Sequence, residues 1–120
     1  MSFIHYLLLG HFDRDDNVVR FAKRSEGAPF EPVLSNPIAS ATLRSILRAM
    51  LGGEGATLPP YWPIWEKDGY LICEKYTRNS EMVDFATRVV NRTGCEIYDV
   101  AAHRDISLDS WLAAIREYST

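Results

Sequence analysis

The clearest structural signal in the sequence is GYLICEKYT, from Gly69 to Thr77, which is followed after a helical pattern by CEIYDVA, from Cys95 to Ala101. Both runs are rich in β-branched and aromatic residues, which is typical of β-strands. Between them, apolar residues recur at helical spacing. The members of this stripe are Met82, Val83, Ala86, Val89 and Val90. Because a connection through a helix favours parallel strands and a right-handed crossover, the pattern predicts a βαβ unit.

Side-chain oxygens and a glycine mark the ends of the predicted helices in this half. Asn79 or Ser80 is expected to cap the crossover helix, and Gly94 is expected to end it. Ser107 is expected to cap a last helix. The apolar stripe of that helix is Leu108, Trp111, Leu112, Ile115 and Tyr118. The predicted order of the C-terminal half is therefore strand, helix, strand, helix.

The N-terminal part predicts a β-hairpin and a long loop. Ser2 to Phe12 has a strand pattern with apolar residues on both faces, Asp13–Asn17 is a polar turn, and Val18–Lys23 is the expected return strand. The segment Ser25–Ala39 contains three prolines and a glycine, so it predicts a connecting loop without regular structure.

A further helix is predicted after this loop, with Ser40 as its cap and Gly52-Gly53 as its end. Its apolar stripe is Leu43, Ile46, Leu47, Met50 and Leu51. Arg44 and Arg48 lie one turn apart on its flank. They fit the solvated side of an amphipathic helix better than the alternative, an anion-binding pair.

Length and composition predict one domain over residues 1–120, since 120 residues suffice for a hydrophobic core. The predicted fold class is α+β. We expect a mixed sheet of four to five strands, built from the N-terminal hairpin and the C-terminal βαβ unit and covered by about three helices.

Charge and targeting signals narrow the functional classes. The net charge of −3 supplies no general attraction to phosphate, so nucleic acid and anionic membranes are not the expected partners. The N-terminal apolar run is too short to span a bilayer and has no positive residue before it, so we expect a cytoplasmic protein. In that compartment Cys73 and Cys95 are expected to be buried free thiols rather than a disulfide.

The most unusual segment is LPPYWPIWEKD, residues 58–68, because its three prolines accompany large apolar rings. The residues that need cover are Tyr61, Trp62, Ile64 and Trp65. One interpretation is that the loop folds back and its side chains cap the core. The alternative is an interface, with a second copy, another protein or a small apolar ligand as the partner.

A second candidate site lies after the strands at 70–76 and 96–101. In open sheets with parallel strands, ligands bind at the carboxyl ends of those strands. Four residues there form a candidate ligand-binding set: Arg78, Asp99, His103 and Arg104. Arg78 and Arg104 would hold an anion, and His103 with Asp99 would perform acid-base chemistry.

The sequence contains no nucleophile elbow, zinc-binding helix, dinucleotide loop or cysteine-based metal motif, so no catalytic residue, metal or cofactor is assigned. The leading hypothesis is a non-catalytic domain that acts through protein-protein interaction, by self-association or by binding a partner, as small inhibitor or immunity proteins do. The alternative is a small enzyme or anionic-ligand binder that uses the strand-end pocket.

Overall fold

A computed structural model of the chain describes residues 5–23, 30–53 and 57–119. Three helices and a six-stranded, mainly antiparallel sheet dominate these residues, together with two small two-stranded sheets. This architecture confirms the predicted α+β class. Within the described ranges, no helix has the combination of length and apolar character that a bilayer crossing requires.

The helices are α1 (Ser40–Leu51), α2 (Ser80–Thr93) and α3 (Leu108–Ser119). The strands are β1 (Tyr6–Phe12), β2 (Arg14–Asp15), β3 (Val18–Val19), β4 (Phe21–Lys23), β5 (Phe30–Pro32), β6 (Leu34–Asn36), β7 (Ile64–Glu66), β8 (Leu71–Glu74), β9 (Glu96–Asp99) and β10 (Arg104–Asp105). The order in the main sheet is β10-β9-β1-β8-β7, and β6 pairs with the C-terminal end of β1.

Strand β1 lies at the centre of the main sheet, between β8 and β9. Leu7 is opposite Cys73 of β8 on one side and opposite Asp99 of β9 on the other. Since β8 and β9 both run antiparallel to β1, they run parallel to each other, as the βαβ prediction requires. They are not adjacent, however, because β1 lies between them.

The two faces of β1 contribute to two separate clusters. Leu7 and Leu9 are fully buried in a cluster that also contains Phe85 of α2 and Trp111 of α3. Leu8 points to the opposite face, where it packs in a smaller cluster without any helical residue. The other buried members of that smaller cluster are Phe12, Val19, Tyr70 and Tyr98. In the described residues, the buried side chains of all three helices therefore belong to the Leu7 face.

The N-terminal hairpin forms with a different partner from the predicted one. Asp16 and Asn17 have positive φ angles of 50° and 66°, and their turn joins β2 to β3. The return strand Val18–Lys23 was expected to pair with β1, but it pairs with β2 and β5. The reason is steric, because β8 and β9 occupy both edges of β1 along residues 7–9. Residues 1–4 of the predicted first strand lie outside the described residues.

The prediction that Ser25–Ala39 lacks regular structure is wrong for its described part. Strands β5 and β6 lie within it, and β6 extends the main sheet by pairing with His11 and Phe12. The prolines are accommodated because both strands are only three residues long. Residues 24–29 lie outside the described residues.

The predicted ends of α2 and α3 are confirmed. Asn79 Oδ1 accepts a hydrogen bond from the backbone N–H of Met82 at 3.0 Å, and Gly94 ends the helix in the left-handed conformation. At α3, Ser107 Oγ accepts from the backbone N–H of Ser110 at 3.1 Å. These contacts satisfy amides that a helix start leaves without an intrahelical partner.

The predicted cap of α1 is wrong, although Gly52 ends this helix as expected. Ala39 occupies the cap position without a side-chain hydrogen bond, and Ser40 is the first helical residue. The Ser40 hydroxyl donates instead to the carboxylate of Glu66 at 2.6 Å. Ser40 therefore connects the start of α1 to β7.

The turn between β7 and β8 depends on Gly69. Its φ of +92° lies in a region that L side chains rarely adopt. A Cβ at this position would lie 2.7 Å from Cβ of Pro37 and 2.9 Å from Cδ1 of Leu34. The carbonyl oxygen of Gly69 accepts from the N–H of Ile38 at 2.9 Å, so the turn also holds the segment that leads into α1.

We expect Gly69→Ala to lower the free energy of unfolding by roughly 2–5 kcal/mol, because backbone strain and overpacking add. Gly53→Ala is the matched control. Gly53 has a φ of +67°, but among the described residues nothing lies within 4 Å of its Cβ position. Its loss should be only about 1–2 kcal/mol. Urea denaturation measures both, and equal losses would contradict the steric role of Pro37 and Leu34.

Candidate functional site

The strand-end carboxylate Asp99 forms a buried ion pair with Lys75. Their side chains are 5% and 15% exposed, and Nζ lies 2.8 Å from Oδ2. Asp99 Oδ1 also accepts from the backbone N–H of Ala102 at 3.2 Å, and the carbonyl oxygen of Lys75 accepts from the indole N–H of Trp111 at 2.8 Å. These contacts connect β9, Lys75 after β8, and α3 through the two residues of the ion pair.

Two opposing effects set the protonation of this pair. Burial favours the neutral form of Asp99, but the hydrogen bond from Lys75, the backbone N–H of Ala102 and the lysine charge lower the pKa of the carboxyl below its ordinary value. The same hydrogen bond raises the pKa of Lys75. Both groups are therefore charged near neutral pH and stabilise each other, which indicates a structural role for Asp99.

The other three residues of the predicted strand-end site are exposed. Arg104 faces Asp99 in the β9–β10 register, and His103 has a positive φ of 53° in the preceding turn. Arg78 places its guanidinium carbon 5.5 Å from the centroid of the Tyr118 ring. Three grooves on the surface of the described residues are lined by other side chains. The acid-base pairing of His103 with Asp99 stays a prediction, and the side-chain oxygens of Asp99 bond to Lys75 and to the backbone N–H of Ala102.

The structure divides the predicted interface set into two pairs. Trp62 and Ile64 are 1% and 3% exposed, so they belong to the core and not to a surface. Tyr61 and Trp65 are 71% and 44% exposed. Within strand β7, alternation separates Ile64, which faces the helices, from Trp65, which faces the opposite side of the sheet. The core interpretation therefore holds for Trp62 and Ile64, while the interface role of Tyr61 and Trp65 stays a prediction.

Trp65 forms part of an open groove on the helix-free face of the main sheet. The groove has a volume of about 550 Å³. A row of residues in direct register across four strands runs along this face: Tyr98, Leu8, Ile72 and Trp65. Leu8, Ile72 and Trp65 line the groove, and Tyr98 at the end of the row contacts the groove residue Phe21 with ring centroids 5.4 Å apart. We call this feature the aromatic groove.

Aromatic rings from separate elements surround the aliphatic floor of the aromatic groove. Tyr6 of β1 makes an edge contact with the Trp65 ring, with centroids 6.2 Å apart. Phe21 of β4 and Tyr70 before β8 also line the groove, so four of its ten lining residues are aromatic. Phe21, Trp65 and Val100 remain 38%, 44% and 37% exposed. The groove thus presents a large apolar contact area to solvent.

Charged groups are few in the aromatic groove. Its ten lining residues include one lysine, Lys67, and one carboxylate, Glu31. This composition can accept apolar side chains and fix their orientation with a few polar contacts.

Sequence reasoning missed most of the aromatic groove. The first strand was predicted to have apolar residues on both faces, but no groove was predicted on either face. The predicted number of helices indicated an open face, because about three helices can cover one face of a six-stranded sheet and leave the other to loops. The contribution of Phe21 and Lys67 had no sequence signal, since it depends on which strands are neighbours.

The cysteines and candidate metal ligands give no alternative site. Cys73 and Cys95 are buried free thiols, as predicted. Burial raises the pKa of the Cys73 thiol far above its ordinary value, so it remains protonated and is a poor nucleophile. Across the described ranges, no three His, Cys, Asp or Glu side chains are grouped as metal ligands would be. Comparison with protein-family models, curated proteins and solved structures gives no match to this chain.

Lys75→Met tests the buried pair. At neutral pH the substitution leaves the Asp99 carboxylate buried and unpaired, so the free energy of unfolding should fall by about 3–5 kcal/mol. In the wild type the pKa of Asp99 is lower in the folded state, so its stabilisation is present above the ordinary carboxyl pKa of 3.8 and is lost as pH falls through the folded value. In the variant the unpaired, buried carboxylate should have a raised pKa, so Asp99 should destabilise the fold at neutral pH and this effect should disappear as the pH falls.

The difference in unfolding free energy between wild type and Lys75→Met should therefore shrink as the pH falls from the raised pKa of Asp99 in the folded variant to its lowered pKa in the folded wild type. Urea unfolding across this pH range measures it. Lys67→Met, at an exposed lysine, is the control and should change stability little. A loss that is the same at every pH would show that the ion pair is not its cause.

Proposed function

We propose that this protein is a non-catalytic binding domain whose recognition surface is the aromatic groove and whose partner is a protein segment. The observation that carries the proposal is the exposure of Trp65, at 44%, on a concave apolar surface to which β1, β7 and β8 of the main sheet contribute. Tryptophan and tyrosine are the residues that most often anchor protein interfaces, particularly where they line pockets.

The shape of the groove supports a protein segment over a small molecule. Small-molecule sites enclose most of their ligand, whereas the rim residues Phe21, Trp65 and Val100 all remain exposed. A peptide or protein side chain can occupy such an open groove while its backbone stays outside.

The strand-end residues support the non-catalytic character of the proposal. Asp99 is held by Lys75 and by backbone, so its carboxylate is committed to the fold. The aromatic groove itself contributes one lysine and one glutamate. Binding through apolar contact is the chemistry that these side chains perform best.

A display library of random short peptides tests the proposal without a known partner. We expect the immobilised wild-type protein to select peptides rich in aromatic or aliphatic residues. When these peptides bind, the amide chemical shifts of the protein should change around Leu8, Ile72 and Trp65. Trp65→Ala should weaken binding of the selected peptides at least ~30-fold, as loss of an aromatic anchor does.

Tyr118→Ala is the matched control, because Tyr118 is an aromatic of similar exposure, 48%, that does not line the groove. Binding of the selected peptides should survive this substitution. Failure to enrich any peptide, or peptides whose binding is unaffected by Trp65→Ala, would reject the groove as the recognition surface.

A further inference from the structure

We infer that the protein segment bound at the aromatic groove is extended and pairs its backbone with the outer edge of β7, so that it adds a strand to the main sheet. The inference rests on the proposed function and names the conformation and the sequence pattern of its partner. It combines three observations: backbone groups that β7 turns away from β8, the position of Trp65 on this same strand, and the negative charge of Glu66 beside it.

Strand β7 is the last strand of the main sheet, and among the described residues only β8 pairs with it. The carbonyl of Pro63 accepts from a β8 amide at 3.0 Å, and the amide of Lys67 donates to the carbonyl just before β8 at 2.8 Å. In an antiparallel ladder the backbone groups of alternate residues point to the same side. The residues between these two positions therefore divide, and Ile64 and Glu66 direct their backbone groups away from β8.

Three backbone groups on this outer edge are open to a partner. The N–H of Ile64 already donates to the carbonyl of Trp62 at 2.8 Å. The carbonyl of Ile64 and both the N–H and the carbonyl of Glu66 have no backbone partner within the part of the chain that the structure describes. An extended segment laid along β7 can bond to all three, whereas the amides of a helix are bonded within the helix itself. The edge therefore favours an extended segment over a helical one.

The aromatic groove and the outer edge share β7. Trp65 belongs to this strand and lines the groove on the helix-free face of the sheet. A residue of the added strand opposite Trp65 points to the same face, with its Cβ about 5 Å from that of the tryptophan. Its side chain then packs on an indole that is 44% exposed in the free protein. One extended segment can thus bury the ring and bond to the edge at the same time.

Glu66 determines the charge expected in the bound segment. It follows Trp65 in the strand and so points to the helix-covered face, where its carboxylate accepts from the Ser40 hydroxyl at 2.6 Å. A hydroxyl group does not neutralise the carboxylate. A lysine or arginine opposite Glu66 would do so, and opposite charges in cross-strand pairs are favourable. The expected sequence pattern is therefore an apolar or aromatic residue next to a basic one.

A methylation scan of the peptides selected by the display library tests the pairing. A methyl group is placed on one backbone nitrogen of a selected peptide at a time. The outer edge offers two carbonyls, on Ile64 and Glu66, so methylation at two positions that are two residues apart should weaken binding at least ~10-fold, since each loses a hydrogen bond and clashes with the edge. Methylation elsewhere should change binding less than ~3-fold. A scan without such a pair of positions would overturn the inference.

Glu66→Pro tests the same contact from the side of the protein. Proline removes the outward N–H, breaks no bond to β8 and is tolerated on edge strands. Glu66→Ala is the matched control, because it loses the same carboxylate but keeps the N–H, and it should weaken binding at most ~5-fold. Glu66→Pro should bind at least ~10-fold more weakly than Glu66→Ala. Circular dichroism checks that both variants are folded, and equal affinities of two folded variants would contradict the pairing.

Hydrogen exchange in the wild type gives a measurement that needs no variant. Binding of a selected peptide should slow exchange of the Glu66 amide at least ~10-fold, because the amide becomes hydrogen-bonded. Peptides that depend on Trp65 but show neither this protection nor the methylation pattern overturn the edge pairing and leave the groove as the recognition surface. A protein that selects no peptide overturns both.

Discussion

Strand β1 is enclosed on both faces and along both edges, and the rest of the fold depends on this enclosure. Leu7, Leu8 and Leu9 are 0%, 6% and 0% exposed, and β8 and β9 pair with them on either side. Full burial of each such side chain contributes roughly 1.5–3 kcal/mol. Once β8 and β9 occupy the edges of β1, strands β2 to β5 pair with one another in small two-stranded sheets over the face of the main sheet opposite the helices.

Polar contacts between distant residues hold these peripheral parts in place. Arg14 of β2 forms ion pairs with Glu96 of β9 and with Asp105 of β10, so the first small hairpin is tied to the sheet edge. The Asp99–Lys75 pair performs the equivalent role on the other face, where Trp111 Nε1 donates to the carbonyl of Lys75. A charge in the core costs free energy unless it is paired, so Asp99 depends on its lysine.

Local signals in the sequence were sufficient for the helices and for the strand character of β1, β8 and β9. Asn79, Gly94 and Ser107 act where they were expected to act, because caps depend on neighbours within a few residues. Strand order was out of reach, since any apolar strand can pair with any other and the choice depends on the packing of the whole chain. The burial of Trp62 in segment 58–68 was also out of reach, because it lies in a turn and only Ile64 and Trp65 follow the alternation of a strand.

The open groove follows from the unequal cover of the two sheet faces. The helices cover the Leu7 face with long, continuous stripes of apolar side chains. The largest of these, Phe85 and Trp111, are fully buried there. On the opposite face the described hairpin strands have only two or three residues each, and Val19 and Phe12 cover Leu8 near β9 and β1. Among the described residues, this cover leaves Trp65 44% exposed at the end of the cross-strand row. Exposed rings on a concave, rigid surface favour association with another apolar surface, because burying them releases the unfavourable contact with water.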